Sequence, residues 1–151
     1  RFAPWGLTPE VRKAAMKYCD VICYNYYHEG LDPSFWSFLA DMDMPSIIGE
    51  FHMGASDTGF FNPGVVHAAD QKDRARMWKT YMETVIDNPH FVGAHWFQYI
   101  DSPITGRAHD GENYNIGFVT VTDVPYPHLV TAAKQLHGSL YERRYGDVQT
   151  Q

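Results

Sequence analysis

The stretch Ser46-Ile47-Ile48-Gly49-Glu50-Phe51-His52-Met53-Gly54 decides how the rest of this chain is read. Residues 46–50 carry the pattern of a buried strand, and that strand ends on a carboxylate. Aromatic, polar and glycine residues follow at once and mark a loop. An apolar strand that terminates on an acid and opens into a glycine-bearing loop is how a (β/α) barrel presents a functional group at its C-terminal face. Working outward, the same pattern recurs on both sides. Upstream, Asp20-Val21-Ile22-Cys23-Tyr24-Asn25 reads as a short buried strand, with Tyr24-Asn25-Tyr26-Tyr27-His28 as its polar-aromatic exit. Downstream, residues 91–96 read as a third strand that runs out through Trp96 toward Gln98.

Helical segments separate these strands. Thr8 followed by Pro9 starts a helix with an N-cap hydroxyl and a first-turn proline, and Val11, Ala14, Ala15 and Tyr18 give it one apolar face. A short helix over residues 33–42 is broken by Asp43-Met44-Pro45. Asp70 caps a helix whose apolar face is Ala75, Trp78, Met82 and Val85, and Asn88-Pro89 stops it. Residues 118–121 read as extended, and a last helix from Pro127 buries Leu129, Ala133, Leu136 and Leu140. The order is αβαβαβα. Loops after strands (residues 51–67 and 98–117) are long, and those after helices are short, which is the barrel asymmetry. A doubly wound sheet would carry a glycine-rich turn after its first strand, and no G-x-G-x-x-G or P-loop is present. The expected architecture is one α/β domain over residues 1–151, a partial (half) (β/α)8 TIM barrel, because a whole one takes about 250 residues.

A net charge of −6 and a sequence pI near 5.7 argue against nucleic acid and anionic membranes as partners. No apolar run approaches the ~20 residues of a membrane span, and no signal-peptide pattern is present, so the compartment stays unassigned. Arg1-Phe2-Ala3 reads as an interior segment of a protein. Cys19 and Cys23 are too few for a disulfide framework and are expected to be small buried hydrophobes. Aromatic residues make up 15% of the chain, many of them beside acids and amides in loop-like stretches. Sugar rings stack on aromatics and hydrogen-bond through their hydroxyls, so the mixture suits a carbohydrate cleft. It suits a large core equally well.

Each strand exit offers its own set of groups: Tyr24, Asn25 and Tyr26; Glu50 and His52; His95, Trp96, Gln98 and Asp101. On adjacent parallel strands they would converge on one rim. The loop Thr105-Gly106-Arg107-Ala108-His109-Asp110-Gly111-Glu112-Asn113-Tyr114-Asn115 is dense in hydrogen-bonding groups, and Arg107, Glu112 and Asn113 are its candidate sugar-hydroxyl contacts. His52 and His95 lack partners at ligand spacing, so no metal and no cofactor is expected. No G-x-S-x-G elbow supports serine catalysis. Glycosidases use a pair of carboxylates, and this chain offers one strong candidate, Glu50.

Ile48-Gly49-Glu50-Phe51-His52, Gly93-Ala94-His95-Trp96-Phe97-Gln98-Tyr99 and Thr105-Gly106-Arg107 resemble the β-agarases of glycoside hydrolase family 50. Asp110-Gly111-Glu112-Asn113-Tyr114-Asn115-Ile116-Gly117-Phe118 and Asp123-Val124-Pro125-Tyr126 continue the resemblance in the same order. It covers nearly the whole chain and extends to the β-galactosidase-type clan of retaining barrels. It implies that Glu50 ends strand 7 as the nucleophile and that Trp96 ends strand 8 as a sugar platform. Tyr24 to Tyr26 would follow strand 6, and Arg1-Phe2 would be a stub of strand 5. The family's acid/base glutamate ends strand 4, which would precede Arg1.

The resemblance therefore implies a glycosidase of β-galactosides, agarose-like or related β-glycosides. A carbohydrate-binding or catalytically inactive half barrel is the alternative, and a folding unit without ligand is a third reading. Glu112, Asp101, Asp57 or Glu50 of a second copy would be the substitutes for a missing acid. Three strands and a stub leave pairing edges exposed, so a homodimer through those edges is also expected.

Overall fold

The computed structural model describes residues 1–3 and 6–146. Its three parallel strands form one sheet in the order β1 (Ile22–Asn25), β2 (Ser46–Phe51), β3 (Phe91–Trp96). Helix α1 (Pro9–Tyr18) precedes β1, and a 3-10 turn (Phe35–Phe38) running into α2 (Leu39–Met42) joins β1 to β2. Helix α3 (Gln71–Asp87) joins β2 to β3, and α4 (Pro127–Gly138) and α5 (Leu140–Tyr145) follow. The α/β alternation and the parallel sheet follow the sequence pattern. No helix among the described residues is long and apolar enough to cross a membrane.

Local chemistry sets the boundaries. Thr8 Oγ1 accepts the Val11 N–H at 3.3 Å and Pro9 opens the first turn of α1. Asp70 accepts the N–H groups of Lys72 and Asp73, both at 2.8 Å, and so caps α3. Asp43, in the left-handed region at φ 44°, ends α2.

Helix α3 lies across one face of the sheet. Phe51 stacks on Tyr81 with ring centroids 4.1 Å apart, and Tyr24 meets Trp36 edge-on at 5.0 Å. Ile22, Ile48 and Phe91 join this core, and α4 adds Leu129, Ala133 and Leu136. Burying one such side chain contributes about 1.5–3 kcal/mol. On the opposite face Cys23, Asn25, Ile47, Glu50 and Gly93 are only half-buried. Phe2 adds a single parallel bridge beside β1, donating to Cys23 O and accepting from the Asn25 N–H, both at 2.8 Å.

Several sequence expectations change. The strand expected from Asp20 begins at Ile22, because Asp20 and Val21 are exposed at the turn. Of the expected α1 face only Ala15 is buried, and Tyr18 is 75% exposed; a single bridge at Phe2 gives this helix little sheet to cover. Cys19 is exposed at the C-cap of α1 and Cys23 is half-buried, so neither is a core residue. Residues 118–121 form no strand; Val119 makes isolated bridges to Ile100 and Pro125, and a turn at Asp123 (φ 60°) folds the segment back. The last helix is two, divided at Ser139, with Leu140 half-buried at the start of α5.

Candidate functional site

The position of Glu50 follows from a register shift. Tyr24 pairs with Ile48 but Asn25 pairs with Glu50, and on the other side Ile48 pairs with Ala94 but Phe51 with Trp96. Strand β2 thus carries one extra residue relative to both neighbours, a bulge at Gly49-Glu50 that re-aims the carboxylate. Only glycine fits at 49: a Cβ there would sit 2.1 Å from Cys23 Sγ and 3.3 Å from Asn25 Oδ1. The bulge brings Glu50 onto the half-covered face, where its side chain keeps 21% of its accessibility.

Two groups hold that carboxylate. Tyr27 donates its hydroxyl to Oε2 at 2.7 Å, and the Arg1 guanidinium pairs with Oε1. Burial, together with the Glu50 and Glu112 carboxylates, pushes the Tyr27 phenol far above its ordinary pKa, so it stays a donor. Tyr27 packs edge-on against His52 with centroids 4.7 Å apart. His52 is buried, and both ring nitrogens are used: Nδ1–H donates to Phe97 O at 3.1 Å and Nε2 accepts the Val65 N–H at 2.9 Å. Burial lowers its pKa to about 4, so the ring is neutral at pH 7. His52 therefore joins the two loops, with both ring nitrogens occupied by backbone partners.

The side chains of Tyr24 and Tyr26 lie away from the Glu50 carboxylate. Both are buried on the helix side with Ile22, and Tyr26 stacks between His28 (4.2 Å) and Phe35 (5.5 Å). Strand alternation leaves Asn25, their neighbour, on the half-covered face beside Glu50. His95 is exposed, and Gln98 and Asn113 are half-buried. Trp96 is half-buried, edge-on to Phe51 at 5.2 Å, and donates Nε1–H to Ile116 O at 2.7 Å.

Arg107 organises the second loop. It donates to both Asp110 oxygens (3.0 and 2.5 Å) and to Gln98 Oε1 (3.3 Å), and lies over the Phe97 ring. Its Nη2 is also 2.5 Å from Glu112 Oε2, an ion pair outside hydrogen-bond alignment. Arg107 and Glu112, both expected to clamp a sugar, are thus paired with each other. Beneath the rim Asp101 is buried, accepting from Asn115 Nδ2 (3.0 Å), Gly117 N (2.7 Å) and Tyr126 Oη (2.5 Å). Burial, and then the Asp101 carboxylate, raise the Tyr126 pKa to about 12. Asp57 accepts from Gln71 N and Nε2 at 3.1 and 3.0 Å.

Sequence reasoning missed Tyr27, Arg1 and Arg74. Tyr27 stood inside the quoted β1 exit, and its place one step past the buried Tyr26 is the signal that finds it. Among the described residues no group of three or more His, Cys, Asp or Glu side chains is disposed to hold a metal ion.

No protein-family model matches the chain. It is 59% identical over 145 residues, 95% of its length, to Beta-agarase B of Vibrio sp. (strain JT0107). Beta-agarase A of the same strain is 50% identical over 146 residues, 93% of the chain. A solved exo-beta-agarase superposes with a TM-score of 0.95 at 61% identity, covering 97% of this chain and 20% of that one. The chain is β-agarase-like. It spans about 15% of the length of the curated relatives it matches. The resemblance read from the motifs around Glu50, Trp96 and Arg107 is thus matched by sequence and by fold, and at the end of β2 the β-agarase-like chain presents Glu50, part-exposed and held by Tyr27 and Arg1.

Proposed function

We propose that this chain is the nucleophile-bearing part of a retaining β-glycosidase of agarose-like β-galactosides, with Glu50 as the nucleophile. One observation carries the reading. Glu50 is lifted onto the half-covered sheet face by a bulge that glycine alone permits, and Tyr27 and Arg1 fix its orientation. In this mechanism Glu50 attacks the anomeric carbon as the glycosidic oxygen leaves, and a second carboxyl about 5–5.5 Å away protonates that oxygen and later activates water. The hydrogen bond from Tyr27 and the ion pair with Arg1 orient the nucleophile. Asn25, Trp96 and Gln98 are the proposed substrate contacts, with His95, Glu112 and Asn113 farther along the rim.

The second carboxyl is the missing part. Asp101 is buried with three donors, Asp57 is bound to Gln71, and Glu112 is paired with Arg107. These three acids are already committed, which leaves Glu50 of a second copy, or a carboxyl outside these residues, as the acid/base in this reading. The same observation favours the alternative, a carbohydrate-binding half barrel without turnover, for the chain by itself. An all-parallel sheet is ordinarily covered on both faces, and the half-buried Cys23, Asn25, Ile47 and Gly93 face supports the half (β/α)8 barrel, with Phe2 as the stub of its preceding strand. A homodimer that joins the sheet edges is the corresponding arrangement for the isolated chain; sedimentation showing a monomer at every concentration would exclude it. Hydrolysis of an aryl β-galactoside and of agarose oligosaccharides, beside the Glu50→Ala variant, tests the function. Turnover lost in the variant supports the enzyme; saccharide binding without turnover in both supports the alternative.

A further inference from the structure

Arg74 is fully buried although it belongs to the first turns of α3, outside the groups that hold Glu50. Its Nε donates to Met53 O at 2.8 Å, in the segment leaving β2. Its Nη2 donates to Gly117 O at 2.6 Å, at the end of the loop leaving β3, and Nη1 to Gln71 Oε1 at 3.1 Å. The guanidinium lies 5.7 Å from the Trp96 ring centroid and 5.1 Å from that of Tyr126. Asp101, its nearby counter-charge, in turn accepts from Gly117 N, and Gln71 Nε2 donates to Asn115 Oδ1 at 2.8 Å. Burial lowers the Arg74 pKa to about 10, so the cation persists at neutral pH.

A planar cation with donors in fixed directions can join two carbonyls and an aromatic face at once, which an ammonium cannot reproduce. Met53 is three residues from Glu50, and Gly117 follows Ile116, whose carbonyl receives Trp96. We infer that Arg74 is a positioning residue that locks the exits of β2 and β3 into one rigid rim and so sets the spacing between Glu50 and Trp96. The inference rests on the reading of Glu50 as nucleophile for its catalytic meaning, and on geometry alone for the coupling.

The test compares the chain with Arg74→Lys, which keeps the charge against Asp101, and with Asp101→Asn, which keeps Arg74. Hydrogen exchange is read at the amides of Gly54 and Gly117, and labelling at Glu50 by a 2-deoxy-2-fluoro-β-galactoside with a dinitrophenolate leaving group. In Arg74→Lys both amides are expected to exchange together, about tenfold faster or more, while β1 amides are unchanged. The maximal labelling rate should fall about tenfold with little change in the concentration giving half that rate. Asp101→Asn should show the same paired response, more weakly. Acceleration at one amide only, or at neither, overturns the coupling. Unchanged labelling in Arg74→Lys, with the wild type labelled, overturns the positioning role. A wild type that is not labelled counts against Glu50 as nucleophile and with it the catalytic role of Arg74, while exchange still decides the coupling.

Discussion

Gly49→Ala isolates the device that aims Glu50. The new Cβ would stand 2.1 Å from Cys23 Sγ, 3.1 Å from Arg1 Nε and 3.3 Å from Asn25 Oδ1. Arginine and asparagine ends can swing aside, but Cys23 has a single side-chain torsion and sits on a paired strand, so either its sulfur leaves the present rotamer or strand and bulge part. Overpacking of this kind costs about 1–3 kcal/mol. At about 2–4 °C per kcal/mol for a chain of this size, the melting temperature should fall by roughly 2–12 °C. Removing the obstacle should reverse much of it. Cys23→Ala alone takes away one half-buried sulfur and should cost about 0.5–1 kcal/mol. The double variant should then be more stable than the sum of the single changes predicts, by about 0.5–3 kcal/mol. Urea unfolding of all four proteins gives this coupling directly. Strict additivity would refute the reasoning, because it would mean that the bulge is not packed against Cys23.

Tyr27→Phe removes the 2.7 Å donor to Glu50 Oε2. A hydrogen bond to a charged group is worth about 1.5–3 kcal/mol, so the labelling rate at Glu50 should fall roughly 10- to 100-fold with an unchanged far-UV spectrum; an unaffected rate would show that Tyr27 does not hold the nucleophile. His52 makes stability pH-dependent. Its folded pKa of about 4 lies below the ordinary value of 6.5, so between these values the unfolded chain binds the proton and the folded chain does not. Its contribution, up to about 3 kcal/mol, is complete above pH 6.5 and is lost as pH falls toward 4. Denaturant midpoints for the wild type and His52→Gln should converge over that window, and parallel curves would remove His52 as the cause.

Strands β2 and β3 were legible because their apolar runs are bounded by strong punctuation: Met44-Pro45 and Asn88-Pro89 upstream, and an acid or a tryptophan at the exits. The cap at Asp70 was legible for the same reason, since a lone acid precedes a periodic apolar face. Period-two alternation, pressed one step further, would also have assigned Tyr24 and Tyr26 to the core with Ile22 and left Asn25 beside Glu50. Other features have no local signal. The bulge at Gly49 adds a residue without changing composition, and it shows only in pairing with both neighbours. Arg1 lies 49 residues from the carboxylate it meets. Arg74 stands among charged residues at the start of α3, and its burial is decided by carbonyls 21 and 43 residues away. The pairing of Arg107 with Glu112 is likewise a contact that composition alone does not reveal.

Covalent trapping tests the central claim most directly, because a fluoroglycoside with an activated leaving group needs no acid to depart. The chain is incubated with the 2-deoxy-2-fluoro-β-galactoside of dinitrophenol, digested and read by mass spectrometry. The account predicts one adduct, on the peptide carrying Glu50, absent from Glu50→Gln. An adduct on another carboxylate, or none in a folded chain that binds agarose oligosaccharides, would contradict Glu50 as the nucleophile.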